Sequence, residues 1–217
     1  MIKKLYILFK LGRKLAKSDA LSIFTKFHNP PIGIKILFYL LSLSFSKKDN
    51  SFVNETEGER LSNSLQSMGT TFIKLGQFLA TRPDIIGEKL SKQLESLQDR
   101  LPPFELSKAK EIIKKDLGED NFNSIINLSE PVAAASIAQV HKAQINDNGT
   151  IKDVAIKILR PNIKKIFNEE IDALMLFAFL TESIIKKTKR LKLVEVVYLL
   201  KEITNLEMDL RFEAAAA

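Results

Sequence analysis

The 217-residue chain has no cysteine and only two histidines, His28 and His141. The first absence excludes a disulfide framework and any thiolate metal site, and two imidazoles are too few to build a histidine centre. A reducing, cytosol-facing compartment suits a chain without thiols. Long apolar runs are also missing. Residues 32–45 come closest, but these 14 residues include Gly33 and Lys35, and a spanning helix takes about 20 apolar residues. A signal peptide is not expected either: the basic start is long, no small-residue cleavage pattern follows, and Asn29, Pro30 and Pro31 intervene.

What is present is a globular composition, 45% hydrophobic, enough for one domain with a sizeable core or for one domain and a helical extension. The net charge of +7 is uneven. Residues 1–48 hold ten Lys and Arg against one acid, Asp19, or +9, which leaves 23 Lys and Arg against 25 acids, or −2, for the rest. The start sets Leu5, Leu8, Phe9 and Leu15 among lysines, a pattern that suits an anionic membrane surface better than the reading of bases. A peripheral membrane contact and a solvated basic helix both fit it, and nucleic acid is set aside as a partner.

Three segments are expected. Residues 1–50 form a basic amphipathic helical leader that gives way to a polar linker. Residues 51–125 form a helical extension, in which Leu61, Leu65, Met68, Phe72, Leu75 and Leu79 recur at steps of three and four. After Pro83 the pattern resumes at Leu90, Leu94 and Leu97, so the spacing predicts two helices hinged at Pro83. A shorter helix from Ser107 to Leu117 is stopped by Gly118. Residues 126–217 change period. Alternation from Ile137 to Ile145, a turn at Asp147, Asn148 and Gly149, and a strand from Val154 to Leu159 predict an antiparallel hairpin, and two long helical patterns follow from Ile163. The expected class is α+β.

Lys157 follows Val154, Ala155 and Ile156 near the end of a strand, so its stem would be buried while its ammonium reaches a cleft. A lysine at a strand's end is commonly no more than exposed. Here a small-residue loop, a strand and a turn precede it, the order in which a protein-kinase-like small lobe covers nucleotide phosphates and pairs them with lysine, so ATP binding is expected. The loop, Ala133, Ala134, Ala135 and Ser136, stands where a kinase carries glycines. Each alanine Cβ restricts positive φ and the approach of backbone N–H groups to phosphate. Without Lys157 downstream, the loop would read as an ordinary turn packed on a helix.

Lys74 and Gln77 lie three apart beside Phe72, Leu75, Phe78 and Leu79. They are either polar groups with partners or a rim lysine and a solvated glutamine. Glu207, Asp209 and Glu213 put three carboxylates into seven residues, with Asp209 and Glu213 at i and i+4 on one helical face. They read as a solvated acidic face or, given the interleaved Leu206, Met208, Leu210 and Phe212, as acids held opposite cations at a packed surface. Nothing else in the chain supports a metal site built from them. For the partner of Lys157, position alone favours Glu169 or Glu170 on the first helix after the strand.

From about Gly58 to Ala216 the chain resembles the UbiB-type atypical protein-kinase-like family, which is associated with ubiquinone (coenzyme Q) biosynthesis. Lys74, Leu75, Gly76 and Gln77 resemble its Lys-x-Gly-Gln motif, followed by Ala80-Thr81-Arg82-Pro83-Asp84 and Leu97-Gln98-Asp99-Arg100-Leu101-Pro102-Pro103-Phe104. Residues 133–136 match its alanine-rich loop, Lys157 its nucleotide lysine, and Glu207-Met208-Asp209 its Glu-x-Asp motif.

The resemblance implies a protein-kinase-like small lobe that binds ATP or ADP with Mg²⁺, in which Glu213 rather than Glu169 or Glu170 pairs with Lys157. It implies a gating constellation of Lys74, Gly76, Gln77, Glu207 and Asp209, with Lys74 near the two acids. It also implies quinone-biosynthesis enzymes or prenylated quinone precursors as partners, and a peripheral place at the cytoplasmic face of the inner membrane. Family members continue into a large lobe that carries the catalytic aspartate and the magnesium ligands. The chain is therefore expected to be an N-terminal portion with the large lobe absent, and no catalytic or metal-binding residue is assigned within it. Two other classes remain open: a non-catalytic scaffold, and a lipid-binding protein that uses no nucleotide. Hydroxylation is not expected, because no flavin motif or iron-ligand set appears.

Overall fold

The computed structural model describes residues 2–17, 56–97, 99, 101–147 and 149–216. The apolar run at residues 32–45 and most of the expected linker lie outside the described residues. In chain order the elements are α1 (Ile2–Lys17), α2 (Glu57–Met68), α3 (Thr70–Ala80), α4 (Pro83–Ile86), α5 (Glu88–Leu94), α6 (Leu106–Leu117), α7 (Glu119–Asn123), β1 (Ile125–Ala134), β2 (Ala138–Asp147), β3 (Thr150–Leu159), α8 (Ile163–Ile184), a 3-10 turn (Lys186–Leu191), α9 (Leu193–Glu207) and α10 (Leu210–Ala216). They fall into two compact units, Met1–Gln98 with Ile166–Asn205, and Asp99–Lys165 with Leu206–Ala217. Helices and a three-stranded antiparallel sheet make the class α+β.

The first unit is helical. Thr56 starts α2 with a capping box, its side chain accepting from the Glu59 N–H while the Glu59 carboxylate accepts from the Thr56 N–H at 2.7 Å. The single helix expected up to Pro83 is two helices, because Gly69 at φ 105° breaks the backbone between α2 and α3. The hydrophobic spacing runs across that break unchanged, which is why the pattern does not reveal it. Pro83 opens α4 at a position where its missing N–H is not needed, and the Arg82 guanidinium bonds both oxygens of Asp84 at 2.8 and 2.7 Å. Leu61, Leu65, Phe72, Ile73, Leu90 and Leu94 are buried, each contributing about 1.5–3 kcal/mol of transfer free energy. In the same unit, α1 is tied to α8 by Lys3 to Glu169 at 2.6 Å and Lys4 to Asp172 at 3.0 Å, while Ile2, Leu5, Tyr6 and Phe9 remain exposed.

The second unit is built on the sheet, ordered β1-β2-β3. Asp147 pairs with Thr150, so the expected hairpin turn holds two residues, and Gly149 supplies the required positive φ of 89°. β1 is a strand that the sequence pattern does not announce: Pro131 and three register shifts against β2 break its alternation. It also takes Ala133 and Ala134 out of the expected loop and leaves a tighter turn of Ala135, Ser136 and Ile137. One sheet face is largely apolar, with Gln139 and His141 buried on it. Ile156 and Ile158 of β3 pack with Leu128 and Ile125 of β1 against Ala109 and Ile113 of α6.

Candidate functional site

Strand register decides what shares the opposite face. Antiparallel partners point the same way, and Ala133 is paired with Val140, which is paired with Lys157. The three form a cross-strand row, one strand spacing of about 4.8 Å apart at each step. The alternate residues Gln139 and Ile158 belong to the other face and are buried, as the period of two requires.

From this row the Lys157 ammonium reaches Glu213 of α10, donating to Oε1 at 2.8 Å and to Oε2 at 2.6 Å. The side chains are 37% and 60% exposed, so the pair lies at the surface of this unit. Of the alternatives that position favours, Glu169 is engaged elsewhere, by Lys3, and Glu170 lies beside it in α8.

The short helix that presents Glu213 has its own anchor. The chain leaves the helical path at Asp209, so Asp209 and Glu213 do not share one continuous helical face as expected. Instead Asp209 caps α10: its Oδ1 accepts from the Arg211 N–H at 3.2 Å, and its carbonyl accepts from the Phe212 N–H at 3.2 Å. The Arg211 guanidinium also bonds both carboxylate oxygens, and this lowers the Asp209 pKa to about 2. Glu207 closes α9 and is exposed. Lys74, Gly76 and Gln77 lie in α3 of the first unit, and Glu207 and Asp209 lie in the second. Gly76 has a local packing reason: a Cβ there would meet Leu97 Cδ2 at 2.4 Å and Leu65 Cδ1 at 2.8 Å.

The turn after β1 is held by residues to which the sequence reading assigns no role. Arg160, at the end of β3, bonds the Ala135 carbonyl through Nε at 3.0 Å and Nη2 at 2.8 Å, the Pro102 carbonyl at 3.0 Å and the Leu101 carbonyl at 3.1 Å. Burial lowers the pKa of this guanidinium, and the Asp99 charge partly offsets that. Asp99 accepts from the Ser136 N–H at 3.0 Å, and the Ala135 N–H is spent on the Ala138 carbonyl at 2.8 Å. Gln139, fully buried, accepts from the Phe104 N–H at 2.9 Å and donates to the Phe104 carbonyl at 3.1 Å. Its amide also donates to His141 Nε2 at 2.9 Å, and His141 Nδ1 donates to the Ser129 carbonyl at 2.7 Å. The sequence signal for this bracing is faint. Pro102 and Pro103 have no N–H of their own, and a forked donor stands just before Pro161.

Among the described residues no group of three or more His, Cys, Asp or Glu is placed to hold a metal ion, and no helix is long and apolar enough to cross a membrane.

Comparison with known proteins bears on the family of the chain. The chain is 39% identical over 163 residues to a probable protein kinase UbiB of Marinobacter nauticus, covering 75% of the chain and 29% of that protein. It is 37% identical over 188 residues to the protein of that name from Azotobacter vinelandii, covering 86% and 34%. Against the one from Vibrio cholerae it is 32% identical over 222 residues, covering 100% and 38%. The chain thus spans about a third of the length of these relatives. No solved structure matches it. Residues 96–217, more than half of the chain and including the sheet, Lys157 and Glu213, match the ABC1 atypical kinase-like domain, and the chain belongs to that family.

Proposed function

We propose that the chain binds ATP or ADP with Mg²⁺ as part of an atypical kinase or ATPase that supports ubiquinone biosynthesis at a membrane surface. The observation that carries this is the bidentate pair of Lys157 with Glu213 of α10, the lysine standing on the sheet face and in the cross-strand row that also hold Ala133. An ammonium has three hydrogens. Two are directed at the Glu213 oxygens, which fixes the side chain and leaves the third for a phosphate oxygen. The remaining donor and the positive charge of the ammonium suit an anionic ligand beside the lysine, and Mg²⁺, when bound, would screen the phosphate charge. The resemblance assigns its protein ligands to the large lobe.

The relatives' name, probable protein kinase, supports phosphoryl chemistry, and the resemblance supplies the pathway, with quinone-biosynthesis enzymes or prenylated quinone precursors as partners. Within this reading the gating residues are those the resemblance gives, Lys74, Gly76 and Gln77 in one unit and Glu207 and Asp209 in the other. The exposed apolar stripe of α1 supports a peripheral place at the cytoplasmic face of the inner membrane.

Calorimetric titration of the intact gene product with Mg-ATP tests the nucleotide claim. Lys157→Ala should weaken binding at least tenfold, since it removes a charge-assisted contact. Unchanged affinity in that variant would overturn the reading and leave a scaffold that organises other enzymes.

A further inference from the structure

We propose that Arg160 and Asp99 are positioning residues that set the placement of the alanine turn, and through it the affinity for the phosphate end of the nucleotide. This rests on the nucleotide reading and adds to it two residues to which that reading gives no role.

Three observations converge on the turn. Its carbonyl side is seized twice by one guanidinium, at Ala135. Its amide side is capped by a carboxylate, at Ser136, a residue with no exposed surface. Both grips lead to the same stretch of chain: Asp99 belongs to it, and the remaining arms of Arg160 bond the Leu101 and Pro102 carbonyls. That stretch is itself immobilised two residues further on, where the buried Gln139 amide bonds Phe104 on both its N–H and its carbonyl.

The arrangement has a chemical consequence. A glycine-rich phosphate loop works by offering free backbone N–H groups to the anion. Here the N–H groups of Ala135 and Ser136 are already directed at Ala138 and Asp99. The end of the turn is therefore no anion cradle. It acts as a roof of fixed position, and the fork of Arg160 determines where that roof stands relative to the row of Ala133, Val140 and Lys157. Lysine in place of Arg160 keeps the charge but has no planar fork to hold two carbonyls of one stretch and a third of the turn.

The test compares Mg-ATP with adenosine, which has no phosphate to meet the turn, by titration of the intact gene product. Arg160→Lys and Asp99→Ala should each weaken Mg-ATP binding about tenfold and leave adenosine binding unchanged. Asp99→Asn, which retains an oxygen for the Ser136 N–H, should restore most of the Mg-ATP affinity. Equal losses for both ligands would mean a merely structural role and would overturn the proposal, as would native Mg-ATP affinity in Arg160→Lys and Asp99→Ala. If Arg160→Lys does not fold, Asp99→Ala and its Asn counterpart decide the matter alone. Lys157→Ala separates the two levels: if it binds Mg-ATP normally the nucleotide reading fails, and if it loses binding while the Arg160 and Asp99 variants do not, only the positioning role fails.

Discussion

Two glycines of the helical unit are required for opposite reasons. Gly69 has open space around its Cα but holds φ 105° and ψ −170°, a conformation close to glycine-only. Gly76 has a helical backbone but no room, since Leu97 and Leu65 occupy the place of a Cβ and both are buried. Gly69→Ala should cost about 1–3 kcal/mol through strain, and Gly69→Asn should give no relief because the backbone is not in the left-handed helical well. Gly76→Ala should cost about 1–3 kcal/mol through overpacking. A urea double-mutant cycle tells them apart: combined with Leu97→Ala, the Gly76 substitution should cost less than the sum of the two single changes, whereas the Gly69 substitution should add independently. Additive behaviour at Gly76 would refute the packing account. At this scale Lys157 is legible from Val-Ala-Ile-Lys, but its partner 56 positions away is not; position alone favours Glu169 or Glu170, and only the resemblance points to Glu213. The roles of Asp99 and Arg160 are missed for a physical reason: the hydrogen bonds they make to the turn go to backbone groups, which leave no mark on residue type.

Elements are legible where period and breakers agree. The β2 and β3 hairpin has both alternation and an Asn-Gly turn. β1 has neither, and it is recognisable only through the ladder it makes. The separation of α10 from α9 is likewise hidden, because apolar residues continue through Met208 and Leu210, and the break comes from the cap at Asp209. That cap predicts a pH dependence. The Arg211 guanidinium holds the Asp209 pKa at about 2 in the folded chain, against about 3.9 for a free aspartate. A depressed carboxylate contributes stability that is present above about pH 4 and is lost as pH falls through about 2. Asp209→Asn keeps a capping oxygen and removes the charge. The stability difference between wild type and this variant should therefore be constant above pH ~4 and shrink toward zero near pH ~2. Since α10 presents Glu213 to Lys157, the variant should also weaken Mg-ATP binding less than Glu213→Ala does. A stability difference that does not change between pH ~4 and ~2 would show that the Arg211 contact contributes nothing to the fold.

Across the whole chain the charge is segregated, +9 in residues 1–48 against −2 in the remainder. Composition and periodicity made the α+β class readable, because they report on bulk burial, but they left open which side of α1 faces out. Within the first unit, α1 turns two of its lysines, Lys3 and Lys4, onto Glu169 and Asp172, and exposes Ile2, Leu5, Tyr6 and Phe9, with the Arg13 guanidinium 5.7 Å from the Phe9 ring centroid. A helix that uses cations to dock and leaves an apolar stripe outward is suited to insert that stripe at a lipid interface while its remaining positive charge attracts anionic headgroups. Cosedimentation should therefore show binding to anionic vesicles that weakens as salt is raised, because headgroup attraction is screened within about 10 Å at 0.1 M. Leu5→Asp with Phe9→Asp should abolish binding at any salt concentration, since it removes the inserted surface. Equal binding to neutral and anionic vesicles, or native binding by the double variant, would exclude α1 as the membrane contact.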